Sequence, residues 1–386
     1  MRPARDDLTR AEILALLGSN GPTSRAEIAT RLGIAGATVT AHARRLLSEG
    51  FIREEAARTA GTGRPRVPLG LVADAAHVLG LRVTSDRVLG VVVGLDGCVV
   101  DEFAVTVDIR TDPIGQLTAI VVDQLEVHHD LTFLGVGVAV PGVVEPGSGM
   151  VRLSGTMCWK DVPLGSELGD RVPVPVLIDN DLHASTTAEL LFGLGRDHDD
   201  FLVLGLDKGI GLGIVLNRQV HRGPEGTAGE FGHIPVEPEN GPSCTCGARG
   251  CLRTFASEVA IVQAARERGV IRPDEGVHSL VGAIEQSEPA AIRMMEQIGR
   301  MLGYRIAGVV NVLAVRAITV TGGLTVLWPY LAPPFTASVR ASILPPMRAL
   351  ETTMTPWRET AHARGAACLL LASGGMLSRR TTEPAT

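Results

Sequence analysis

No apolar run in the 386 residues reaches the roughly 18 needed to cross a bilayer, so a membrane-spanning helix is excluded. With 45% hydrophobic residues the chain reads as globular, and its length predicts two or three domains. The amino terminus carries acids ahead of its apolar part and lacks a small-residue cleavage site, so a secretory signal is not expected. Cysteine is scarce. Of six, Cys98, Cys158 and Cys368 stand alone and three crowd into eight residues, which excludes a disulfide framework and fits a reducing cytoplasm. Lysine is nearly missing, with only Lys160 and Lys208, a bias that reflects genomic composition rather than chemistry.

The crowded cysteines are Cys244, Cys246 and Cys251, and His233 stands eleven residues before the first of them. Three thiolates and an imidazole are the ligand set of a closed tetrahedral zinc site. Cysteines at this density in a glycine-rich, weakly apolar loop are poorly suited to core packing. The spacing therefore predicts zinc bound by His233, Cys244, Cys246 and Cys251.

Charge is unevenly spread. Residues 1–72 hold 11 arginines against 7 acids, a net +4, which leaves −10 for the rest of a chain whose total is −6. A small basic head on an acidic body suggests that only the head meets a polyanion. The head shows three helical patterns: Leu8–Leu17, a second opened by the capping box of Ser24 and Glu27, and a third from about Gly36 to Ser48. Thr38, Thr40, Ala41, Arg44 and Arg45 fall on the outer side of the third. Small hydroxyl and arginine side chains suit a helix that lies in a DNA major groove. Phe51–Glu55 and Val67–Leu71 read as the strands of a wing, and its tip carries Arg64 for a minor groove. The segment resembles the winged helix-turn-helix domains of bacterial repressors, most clearly over Ala37–Gly50 and Gly63–Pro65.

From His77 onward, valine- and leucine-rich strands alternate with helices, which predicts an α/β fold with more than one sheet. Gly209, Gly211, Gly213, Gly223, Gly229, Gly232 and His233, followed by Cys244, Cys246, Gly250 and Cys251, are similar to the signature of the ROK family of sugar kinases and sugar-responsive repressors. Val136–Gly142 and Asp179-Asn180-Asp181 extend the resemblance, which covers roughly residues 77–372. It implies an actin-like, ribonuclease H-like fold of two lobes: 77–180, completed by 355–372, and 181–354 with the zinc site. The winged domain spans 1–72.

The resemblance also implies sugar contacts from Asn180, Asp181, Glu230 and His233, with Asp181 where a kinase keeps its general base. The kinases of the family place an acid and two glycines in the turn after the first strand. Here the turn reads Arg82, Val83, Thr84, Ser85, Asp86 and Arg87, and a second phosphate loop reads Asp207, Lys208 and Gly209. An acid beside a triphosphate repels it, so phosphoryl transfer is not expected. Arg253 replaces a glutamate that the family usually carries, which points toward an anionic sugar, and Gly155 replaces an asparagine. The expected protein is a cytoplasmic, ligand-responsive repressor that binds operator DNA as a homodimer or a dimer of dimers. The alternative is a ROK sugar kinase with an added DNA-binding head.

Overall fold

A computed structural model describes residues 5–56 and 67–373. The head runs α1 (Arg5–Asn20), β1 (Thr23–Ser24), α2 (Arg25–Leu32), α3 (Gly36–Ser48), β2 (Ile52–Glu54) and β3 (Pro68–Leu71). There follow β4 (His77–Val83), β5 (Arg87–Gly94), β6 (Val99–Thr106), α4 (Pro113–Val127), β7 (Phe133–Val140), β8 (Val143–Val144), β9 (Val151–Ser154), β10 (Trp159–Val162), α5 (Leu164–Gly169), β11 (Val176–Asn180) and α6 (Asp181–Phe192). Next come β12 (Phe201–Leu206), β13 (Ile210–Leu216), β14 (Gln219–Val220), α7 (Arg253–Ala256), α8 (Glu258–Glu267), α9 (Val277–Glu285) and α10 (Pro289–Leu313). The chain closes with β15 (Ala317–Thr321), α11 (Trp328–Ser342), β16 (Glu351–Met354) and α12 (Ala361–Ala372). None of the described helices is long and apolar enough to cross a membrane.

The polypeptide forms two units. Of the described residues, the first holds 5–56, 67–196, 224–226 and 360–373, and the second holds 197–223 and 227–359. The division falls after Arg196 rather than at the expected Asp181, because α6 packs along α12 in the first unit. Gly365 of α12 permits this approach: a side chain there would meet the Ala184 and Ser185 backbone at 2.7 Å. Ser185 Oγ lies 2.7 Å from His362 Nδ1, which joins the same two helices by a buried polar pair.

In the first unit the sheet order is β11-β7-β4-β5-β6, with β4, β5 and β6 antiparallel and β7 and β11 added in parallel. Strands β4 and β7 are buried along nearly their whole length, as their unbroken apolar runs require. The head joins this unit through a shared apolar core, not through a free linker. Ile13, Leu14 and Leu17 of α1 belong to one buried cluster with Ala184, Ala188 and Leu191 of α6 and with Ala363, Ala366 and Leu370 of α12. Arg196 adds a 3.0 Å hydrogen bond to Asn20 Oδ1.

The second unit repeats the plan as β14-β13-β12-β15-β16. Here β12, β13 and β14 are antiparallel, and β15 and β16 are added in parallel. Its core is dominated by α10, which buries Met294, Ile298, Leu302, Ile306 and Val310 at helical spacing and packs against α11. Helix α11 forms despite Pro333 and Pro334 inside it.

Candidate nucleic-acid, metal and ligand sites

Helix α3 is oriented by the three residues it buries, Val39, Ala43 and Leu46, one or two turns apart on a single face. The opposite face carries Ala37, Thr40, Ala41 and Arg44, all exposed, while Thr38 on its flank is half-buried. Thr40 Oγ1 donates to the Gly36 carbonyl at 2.8 Å. Arg44 forms no ion pair among the described residues, but Arg45 Nε donates to Glu49 Oε1 at 3.1 Å. Glu49 also pairs with Arg10 of α1, which locks the end of α3 to the helix behind it. Helix α2 starts as the sequence indicated: Ser24 Oγ accepts from the Glu27 amide, and Gly33 at φ 63° ends it. The Glu27 carboxylate faces Arg31 at 3.4 Å. The wing tip with Arg64 lies outside the described residues.

The loop between β14 and α7 places the four expected metal ligands together. Their ligand atoms all lie within 4.8 Å of one another. Cys246 Sγ is 3.7 Å from Cys251 Sγ, and Cys244 Sγ is 3.6 Å from His233 Nδ1. Zinc–sulfur bonds of about 2.3 Å in a tetrahedron separate two sulfurs by about 3.8 Å, so this donor set fits zinc. Burial, reinforced by hydrogen bonds with Cys244 and Cys246, pushes the Cys251 thiol up to about 12. A divalent cation is what would hold that sulfur as a thiolate at neutral pH.

The backbone holds this loop in place. Cys244 N–H donates to the Ala248 carbonyl at 2.8 Å, and Leu252 N–H donates to Ile234 at 2.9 Å. The preceding segment is stitched to β13, where Leu212 N–H donates to the Gly229 carbonyl at 2.9 Å. Gly229 has φ 90°, and a side chain there would collide with the Leu212 carbonyl, so glycine is required on both counts. Glu230 and His233 follow at once. With Nδ1 turned to the cysteines, His233 Nε2 lies 3.7 Å from Glu230 Oε2. Arg253 Nη1 donates to Thr245 Oγ1 at 3.5 Å, and Arg253 forms no ion pair among the described residues.

Asn180 and Asp181 sit in the first unit, at the junction of β11 and α6. Asn180 is the N-cap: its Oδ1 accepts from Leu182 N at 2.8 Å and His183 N at 3.2 Å, and its Nδ2 donates to the Gly142 carbonyl at 2.8 Å. Its amide is thus largely committed to structure. Asp181 Oδ1 accepts from its neighbour Leu182 N at 2.9 Å. Asp179, which the sequence did not single out as a site residue, is buried beside His183, with Oδ1 3.3 Å from Nδ1.

Each of the two hairpin turns singled out in the sequence carries a side-chain hydrogen bond to its own backbone. In the first unit Thr84 Oγ1 donates to the Arg87 carbonyl at 2.8 Å and lies 3.0 Å from Asp86 Oδ1. In the second, Asp207 Oδ1 accepts from the Lys208 amide at 2.9 Å. The Glu258 amide donates to the Asp207 carbonyl at 3.1 Å. The Asp207 and Glu258 carboxylates both come within 4 Å of the position a side chain would take at Gly323. Burial, and then the Asp207 charge, raises the Glu258 pKa above the ordinary carboxylate value. Sequence reasoning missed Glu258. Its signal was an acid directly after the Ser257 helix cap, which puts it at the start of α8.

Residues 78–373 match the ROK family, and residues 6–53 match a winged helix-turn-helix DNA-binding domain. The xylose repressor of Bacillus subtilis (strain 168) is 26% identical over 307 residues, covering 78% of this chain and 78% of the repressor. A glucokinase of Halalkalibacterium halodurans is 32% identical over 237 residues, which is 58% of this chain and 72% of the kinase. The crystal structure of a ROK family transcriptional regulator, a homologue of the E. coli MLC protein, superposes with a TM-score of 0.81 at 26% identity. It covers 96% of this chain and 98% of that one. With the family match spanning both units and the winged domain lying ahead of it, the chain belongs to the ROK family.

Proposed function

We propose that this protein is a transcriptional regulator, acting as a repressor, that binds operator DNA through α3 and the wing and answers to a sugar or sugar derivative. One observation carries the reading: an outward-facing α3 is attached to a ROK body in which the Asp207 and Glu258 carboxylates both approach Gly323. The first feature serves DNA. The second brings two acids to the turn that faces a triphosphate in the family's kinases, which supports the reading that this protein performs no ATP-dependent phosphoryl transfer. Relatives named as xylose repressor and N-acetylglucosamine repressor, matched over 78% and 86% of their length, support the regulatory reading.

DNA contacts come from Thr38, Thr40, Ala41 and Arg44, with Arg64 from the wing. Arg45 contributes after yielding its pair with Glu49. Within the first unit Asp181 is a candidate acceptor for sugar hydroxyls, and Asn180 shapes the start of α6. Within the second unit Glu230 and His233 are candidate sugar contacts on one loop. Zinc on His233, Cys244, Cys246 and Cys251 supplies a rigid clamp that fixes the imidazole and the loop bearing Glu230. The charge of Arg253, which meets no acid among the described residues, favours an anionic sugar. The shared core of α1, α6 and α12 gives a ligand at Asp181 a mechanical route to the head. A homodimer in the cytoplasm would place two heads on an inverted repeat.

Selection of bound duplexes from random DNA, followed by titration of the complex with D-xylose, D-glucose, N-acetylglucosamine and their phosphates, tests this reading. An enriched inverted repeat released by one of these compounds is the expected result. Sugar-dependent ADP formation in a coupled assay would overturn it in favour of a kinase.

A further inference from the structure

If α3 reads DNA as proposed above, its outward stripe has an unusual chemistry for that task. Ala37, Thr40 and Ala41 occupy its first two turns and are all exposed. In helices that enter a major groove, the amino-terminal residues meet the base edges. Purines are usually read there by the paired donors and acceptors of Arg, Asn or Gln. None of those side chains stands at these three positions. Thr40 has committed its hydroxyl proton to the Gly36 carbonyl at 2.8 Å, which leaves a methyl group and an acceptor for a base. These three residues therefore offer the bases three methyl groups and one hydroxyl acceptor. Arg44 lies about 12 Å along the helix from Gly36, beyond the base-reading turns, and is free of ion pairs among the described residues.

We infer that Ala37, Thr40 and Ala41 read the 5-methyl groups of thymines in the operator major groove, and that Arg44 grips a backbone phosphate. The apolar face of thymine is the one base feature in that groove that a methyl-bearing side chain complements. Specificity then comes from methyl burial at a few thymines in each half-site, and affinity comes largely from phosphate contacts.

The test uses the full-length protein and the duplex it selects from random DNA. Each thymine of one half-site is replaced in turn by uracil, which removes only the methyl group, and affinity is read by fluorescence anisotropy. At least one replacement should weaken binding about fourfold, the effect of exposing one buried methyl. The penalty at a given thymine should vanish in one of the variants Ala37→Gly, Thr40→Ser or Ala41→Gly. Comparing thymine with uracil in the same variant cancels any general loss of helix stability. If uracil is neutral throughout a tightly bound site, or if the penalties persist in all three variants, the inference is wrong and DNA binding still stands. If no duplex is enriched, the DNA-binding reading falls and takes the inference with it.

Discussion

The two five-stranded sheets share one plan, and they differ in what is attached to them. Each begins with three antiparallel strands and adds two in parallel. The first sheet carries the winged head, whose α1 is sunk into the same apolar cluster as α6 and α12. The second carries the loop from Thr227 to Cys251, where Gly229 brings the backbone against β13 and four ligand atoms converge. The hairpin turn of each sheet, Thr84–Asp86 and Asp207–Gly209, is braced by a side-chain hydrogen bond to its own backbone. A fold that serves phosphoryl transfer elsewhere thus keeps its scaffold here, while its turns and attachments define the use.

If function is divided in this way, damage to one unit should spare the other. The largest effect is expected from metal loss. The wild-type protein should hold about one zinc per chain by atomic emission, and Cys251→Ser should abolish it. The same variant should destabilise the second unit by several kcal/mol or more in denaturant unfolding. Affinity for selected DNA should hold in the absence of sugar, and its loss from a folded first unit would break the comparison. Next in size is Asp181→Asn. It should weaken release of DNA by the active sugar about tenfold or more, because a charged hydrogen-bond acceptor contributes about 1.5–3 kcal/mol. DNA affinity without sugar should not change, since asparagine can still accept from Leu182 N.

Arg44→Ala should weaken binding about three- to tenfold on every DNA sequence and lower the salt slope by about one phosphate contact. Its zinc content should match the wild type. A sequence-selective loss would instead place Arg44 on a base. The smallest effect, about 1 kcal/mol, is expected from Ser24→Ala, which removes the cap that accepts the Glu27 amide. Unfolding followed in the first unit should register it, and unfolding of the second should not.

Much of both sites could be read from residue order because it rests on local chemistry. Ser24, Gly33 and the apolar spacing in α3 specify the head helices within a few residues, and α3 forms over the expected Gly36–Ser48. The cysteine and histidine spacing anticipated a cluster that could hold a metal. Other features were hidden because distant residues decide them. Helix α11 was not anticipated: Pro333 and Pro334 remove amide donors and argue locally against a helix. Burial of Trp328, Leu331, Phe335 and Val339, much of it against α10, outweighs that loss. The commitment of Arg45 to Glu49, and of Asn180 to the cap of α6, likewise depends on geometry that composition does not display.

By itself the sequence determined the family, the winged head and a histidine–cysteine cluster that could hold a metal. Each of these is carried by residue type at short spacing, where helix periods, caps and chelate geometry act locally. Only the tertiary structure decided that α6 belongs with the head-bearing unit and that Glu258 comes near Asp207. Those outcomes depend on which buried surfaces meet. Packing between elements far apart in the chain sets that, through close backbone approach at Gly365 and the common core of α1, α6 and α12.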